Sequence, residues 1–114
     1  MDKSALSTIY KFEFQDGETC DMTLSFIRLK KLSSKNKSLY DRQQKIMGNG
    51  GKDEFDMLTV LYAAYVCANM DSDEPLMSED DFIEKCGSDR PALVEAMQAL
   101  TNPKKRRASG DHSN

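Results

Sequence analysis

The run "MLTVLYAAYVCA" at residues 57–68 constrains the fold more than any other stretch. Set on a helix over about 53–70, Phe55, Leu58, Tyr62 and Tyr65 form one stripe. Met57, Val60, Leu61, Ala64, Cys67 and Ala68 cover much of the remaining circumference. A helix that is apolar nearly all round has to be enclosed, either at the centre of a core or within an oligomer. At 12 residues the run is shorter than the ~20 a membrane-crossing helix needs. Asp53, Glu54 and Asp56 occupy the predicted first turn, where the helix dipole favours negative charge. Ala63, Ala64 and Ala68 would let neighbouring elements approach closely.

A chain of 114 residues fits one domain, expected over 1–103. At this size roughly two-thirds of the unfolded surface can be buried, so no metal or disulfide is needed as a staple. Cys20, Cys67 and Cys86 form no CxxC pair and read as small apolar residues in a reducing compartment. The opening "MDKSALSTIY" lacks the apolar core of a secretion signal, so a soluble, cytosolic protein is expected.

Around the central helix the pattern changes period. Over 9–24, Tyr10, Phe12 and Phe14 alternate with polar residues, as do Cys20, Met22 and Leu24, which predicts a β-hairpin. A two-residue Asp16-Gly17 turn would pair Phe12 with Asp21 and put the two apolar sets on opposite faces. A three-residue loop, Gln15-Asp16-Gly17, pairs Phe12 with Cys20 and Tyr10 with Met22, with Gly17 in the left-handed position.

Residues 25–47 read as one long helix with Leu29, Leu32, Leu39 and Ile46 on a stripe that Asn36 and Gln43 interrupt. Tyr40 and Met47 widen that stripe. Its opposite face carries Arg28, Lys30, Lys31, Lys35, Lys37, Arg42 and Lys45, countered only by Asp41. "GNGG" at 48–51 ends it. A third helix over 78–86 turns Phe82 and Ile83 inward and stops at Gly87. A fourth over 89–101 has Pro91 in its first turn and Leu93, Val94, Met97 and Leu100 inward. Residues 104–114 form a basic, polar tail with no apolar residue larger than alanine, expected to be flexible. The expected class is α+β and mostly helical: an N-terminal β-hairpin packed on about four helices.

"DSDEPLMSEDDF" at 71–82 opens like a calcium loop but does not continue as one. Its fifth, sixth and twelfth positions are Pro75, Leu76 and Phe82, where the motif needs a ligand, a glycine and a glutamate. Ser78 followed by Asp81 resembles a capping box, so Glu79, Asp80 and Asp81 belong to a helix start. Asp71, Asp73 and Glu74 remain for a solvated loop or an ionic contact with a basic face, the chain's own or a partner's.

Catalysis has little foothold. The single histidine, His112, stands near the end of the tail, and "GNGG" lacks the Lys-Ser/Thr of a phosphate loop. No catalytic residue, cofactor, metal or small-molecule substrate is expected. A net charge of −3 argues against bulk binding to nucleic acid or to an anionic membrane. Lys104, Lys105, Arg106 and Arg107 are the candidate partner-docking residues. The alternative reading is a small nucleic-acid-associated regulator that uses the basic face of helix 25–47.

The order and wording of the segments resemble the tail assembly chaperones of long-tailed phages and prophages of Firmicutes. The resemblance spans residues 9–105. A short hairpin leads into "LSFIRLKKLSSKNKSLYDRQQKIM", then "DEFDMLTVLYAAYVCANMD", then an acidic linker to "MSEDDFIEKCGSD" and "ALVEAMQALTNPKK". The pieces "KNKSLYDR", "LYAAYVCAN" and "MSEDDFIE" carry most of it; the end "RRASGDHSN" departs from the pattern.

The resemblance implies a non-enzymatic, oligomeric protein of the bacterial host cytoplasm. Such a protein masks the tape-measure protein, with the tail-tube protein as a further candidate partner, and is absent from the finished virion. It also implies a longer form made by ribosomal frameshifting, for which Lys104-Lys105 would suit a slippery codon pair. Seven methionines offer adaptable contact surface for such a role.

Overall fold

The computed structural model describes residues 9–101. Strands β1 (Tyr10–Glu13) and β2 (Thr19–Met22) are followed by helices α1 (Phe26–Lys35), α2 (Lys37–Asn49), α3 (Glu54–Asn69), α4 (Glu79–Cys86) and α5 (Arg90–Thr101). The class is α+β and mostly helical, with the hairpin at the N-terminal end.

The hairpin pairs Tyr10 with Met22 and Phe12 with Cys20, antiparallel. Its loop is Gln15-Asp16-Gly17: the Phe14 N–H donates to Glu18 O at 2.8 Å, and Gly17 takes a φ of 94°. This register puts Phe12, Phe14 and Met22 on one buried face. A slip of one residue would expose all three.

Helix α3 is the axis of the fold. Asp53 caps it by accepting from the Phe55 N–H at 2.7 Å, and Glu54 and Asp56 complete an acidic first turn. It packs against β2, α1, α2, α4 and α5, so its apolar circumference is covered from several sides. Val60, Leu61, Ala63, Ala64 and Cys67 have no exposed surface.

The small side chains of Ala63 and Ala64 bring the hairpin's exit strand onto the helix backbone. There the Thr23 N–H donates to Ala64 O at 3.1 Å. Asn69 ties the same edge, its Nδ2 donating to Asp21 O at 3.1 Å and to Tyr65 O at 2.8 Å.

An aromatic cluster joins hairpin, α3 and α4. Phe82, fully buried on α4, lies 5.8 Å from the Phe14 ring, 5.4 Å from Tyr62 and 5.6 Å from Tyr65, centroid to centroid. Both tyrosines also hold the peptide groups of Met77: Tyr62 Oη donates to its carbonyl and Tyr65 Oη accepts from its N–H, each at 2.9 Å. The linker before α4 is thus fixed by α3. Helix α4 begins with Ser78 Oγ accepting from the Asp81 N–H at 3.2 Å and ends at Gly87, with φ 68°. The side chain of Gln15 lies where a Cβ on Gly87 would stand, so the hairpin loop closes over the end of α4.

Three sequence expectations are corrected, the smallest being Met47, set with the core-facing stripe but exposed in the last turn of α2. The single helix over 25–47 is two helices, α1 and α2, broken at Asn36, whose φ of −150° and ψ of 76° are not helical. Its side chain accepts from the Leu39 N–H at 3.2 Å and so caps α2, the competition with backbone bonding that disfavours asparagine inside helices. The chain holds its register across the break. The Asn36 N–H still donates to Leu32 O at 2.7 Å, and its carbonyl still accepts from the Tyr40 N–H at 3.0 Å.

The second correction is Phe55, placed on the core stripe by periodicity but 73% exposed, because it lies in the first turn of α3. Gln43, read as interrupting the α2 stripe, is buried with its Oε1 accepting from Gln44 Nε2 at 2.7 Å.

Phe82→Ala is expected to cost ~3–5 kcal/mol of folding stability, the range for truncating a buried aromatic. Phe55→Ala is expected to stay within ~0.5 kcal/mol of the parent. Urea unfolding of the two variants checks both outcomes, and a large loss from Phe55→Ala would contradict its placement.

Candidate functional site

Two acidic segments fold back onto basic helices. Asp71, just beyond α3, accepts from Arg28 Nη1 at 2.7 Å and from Lys31 Nζ at 3.0 Å, both on α1. Glu79, in the first turn of α4, receives both guanidinium nitrogens of Arg42 on α2, at 2.8 and 3.2 Å. With Lys37 paired to Asp41, four of the seven basic residues read on the outer face, Arg28, Lys31, Lys37 and Arg42, are matched by carboxylates. Lys30, Lys35 and Lys45 make no ion pair among the described residues. Within the acidic stretch at 71–82, Asp71 and Glu79 therefore serve as internal counter-charges and Ser78 opens a helix, while Asp73 and Glu74 are exposed in the linker. Among the described residues, no group of three or more His, Cys, Asp or Glu is placed to hold a metal ion.

A third clasp closes the hairpin loop onto α4. Lys85 Nζ donates to Asp16 Oδ2 and to Glu18 Oε1, each at 2.6 Å, and sits 5.2 Å from the centroid of the Phe14 ring. These two hydrogen bonds push Lys85 up to about 12. The same bond from Lys85 holds the Asp16 carboxyl below its ordinary value, and the bonds from Arg28 and then Lys31 do so for Asp71.

The thiols are chemically quiet. Burial pushes Cys20, Cys67 and Cys86 each up to about 12, so all three are protonated at neutral pH. Grooves lined by the described residues are open to solvent. One of about 530 Å³ runs between β1 and α5, lined by Tyr10, Lys11, Glu13, Asp89 and Glu95 among others. It brings together carboxylates and a lysine but none of the three cysteines. The only histidine of the sequence, His112, lies outside the described residues, as do Lys104, Lys105, Arg106 and Arg107. Among the described residues no helix is long and apolar enough to cross a membrane.

The surface feature that sequence reasoning missed is apolar. Phe26 is 91% exposed and Ile27 68% exposed at the start of α1, where Leu29 and Leu32 face the core. The signal was present in the spacing, since at about 100° per residue Ile27 stands ~200° around the helix from Leu29. No family model matches the chain, and neither a curated protein nor a solved structure matches it.

The depressed carboxyls fix the direction of a pH effect. A carboxyl held below its ordinary value contributes stability that is complete above that value and is lost as pH falls through the lowered one. Asp71→Asn is therefore expected to be less stable than the parent near neutral pH. The gap should narrow toward zero as pH drops below the aspartate range. Urea midpoints of parent and variant across the acid limb measure this, and a gap that stays constant with pH would show that the Asp71 charge is not involved.

Proposed function

We propose that this protein is a phage tail assembly chaperone that binds and masks a tape-measure protein, without catalysis, in the host cytoplasm before the tail is complete. The observation that carries this reading is the order and wording of its segments, from the hairpin through "KNKSLYDR", "LYAAYVCAN" and "MSEDDFIE". The apolar side chains at Phe26, Ile27 and Phe55, exposed on helix starts, supply contact surface of the kind such masking requires. Quiet thiols and open grooves are compatible with a binding role.

The alternative, a regulator that uses the basic face of 25–47 on nucleic acid, draws less support. Arg28, Lys31, Lys37 and Arg42 are already engaged by the chain's own carboxylates. A phosphate backbone would have to displace them, and the net charge of −3 opposes the approach.

Co-expression with a fragment of a phage tape-measure protein tests the proposal. The fragment is expected to stay soluble and co-purify with the chain, and to aggregate when expressed alone. A fragment that aggregates regardless, together with salt-sensitive retention of this protein on DNA, would overturn the chaperone reading in favour of the regulator.

A further inference from the structure

Helix α1 has two working faces. Leu29 and Leu32 are buried, while Phe26 at 91% and Ile27 at 68% are among the most exposed large apolar side chains of the described residues. Nothing in the packing of the core calls for a phenylalanine or an isoleucine at these positions. Lys30 stands four residues after Phe26 and three after Ile27, so the three side chains share one outward face. Ser34 continues that face one turn on, and its short side chain leaves the surface open.

The electrostatics of this face are one-signed. Helix α1, "FIRLKKLSSK", contains no acidic residue. Its flanking cations Arg28 and Lys31 are taken by Asp71, while Lys30 has no carboxylate partner among the described residues. The Asp71 contact also shows what this helix accepts: one carboxylate from a neighbouring segment bridges two of its cations at 2.7 and 3.0 Å. Two exposed apolar anchors beside an unmatched cation are complemented by a surface carrying apolar groups and a carboxylate together. An anionic lipid surface fits less well, because the other apolar residues of α1 point into the core and the chain carries a net charge of −3.

We propose that the Phe26–Ile27–Lys30 face of α1 is a docking surface for an acidic amphipathic segment of a partner protein. Apolar side chains of that segment cover Phe26 and Ile27, and one of its carboxylates meets Lys30. The inference stands on this surface alone and does not rest on the tape-measure reading.

The test is an amide-shift titration of the full-length, isotope-labelled chain. The probe is a synthetic helical peptide with leucine on one face and glutamate on its flanks. The glutamate peptide is expected to shift amides of 26–34, and a version with lysine for glutamate to leave them in place. Phe26→Ser with Ile27→Ser should weaken binding ~10-fold, as for loss of central apolar anchors. Lys30→Glu should weaken it ~3-fold, the scale of an exposed ion pair, and should turn preference toward the lysine peptide. All three positions are exposed, so an unchanged melting temperature verifies the fold of the variants.

Four results would overturn the proposal: no shift with the glutamate peptide, equal shifts with both peptides, shifts produced only by anionic phosphatidylglycerol vesicles, or shifts that follow protein concentration without peptide. The last would identify a second copy of the chain as the occupant. Failure of tape-measure co-purification alongside a positive titration would overturn the tape-measure reading and support this docking surface.

Discussion

The enclosure of α3 is the constraint on which the remaining structure depends. A sixteen-residue helix with apolar side chains around its circumference has no stable exposed orientation, so β2 and the four other helices each supply cover for part of it. The hairpin approaches over Ala63 and Ala64, where small side chains allow the Thr23 N–H to reach a helix carbonyl. Phe82 of α4 fills the space beside Tyr62 and Tyr65, and the hydroxyls of those tyrosines fix the linker at Met77. Packing and polar satisfaction thus act on the same residues. Among the described residues no buried side-chain nitrogen or oxygen lacks a hydrogen-bond partner.

Charge is arranged in the same way. The acidic linker and the start of α4 are drawn to α1 and α2, which removes much of the positive field a nucleic acid would seek. Each exposed pair contributes little to stability by itself. Their collective effect is on orientation: Asp71 and Glu79 bracket the linker and fasten it across two basic helices. What remains available on the outside of α1 is an apolar pair and two lysines, Lys30 and Lys35, without an ion pair among the described residues, which suits binding by contact better than chemistry at a site.

Much of this architecture was legible in the residues. The hairpin register followed from requiring one apolar face, which rejects the two-residue turn and selects Tyr10 opposite Met22. Ser78 with Asp81 marked one helix start through capping chemistry, and the acidic cluster Asp53, Glu54 and Asp56 marked another through the dipole, with Asp53 proving to be the cap itself. The break at Asn36 was less visible, because Leu29, Leu32 and Leu39 stay in phase across it and periodicity averages over a single non-helical residue. Phe55 misled for a related reason. A helical wheel gives direction but not how far neighbouring elements extend along the axis, and at the first turn of α3 that cover ends. The candidate basic residues at 104–107 lie outside the described residues, and on α1 the spacing from Leu29 pointed Ile27 outward, whereas Phe26 is exposed because it opens the helix.

The central claim is that α3 is the last element to open. Native-state hydrogen exchange, read amide by amide, tests it most directly. Amides of residues 60–67 are expected to exchange only through global unfolding, with protection that rises and falls with the stability measured by urea. The α1 and α4 amides should exchange through smaller openings. If amides of the hairpin or of α2 outlast those of α3, the claim fails and another element organises this fold.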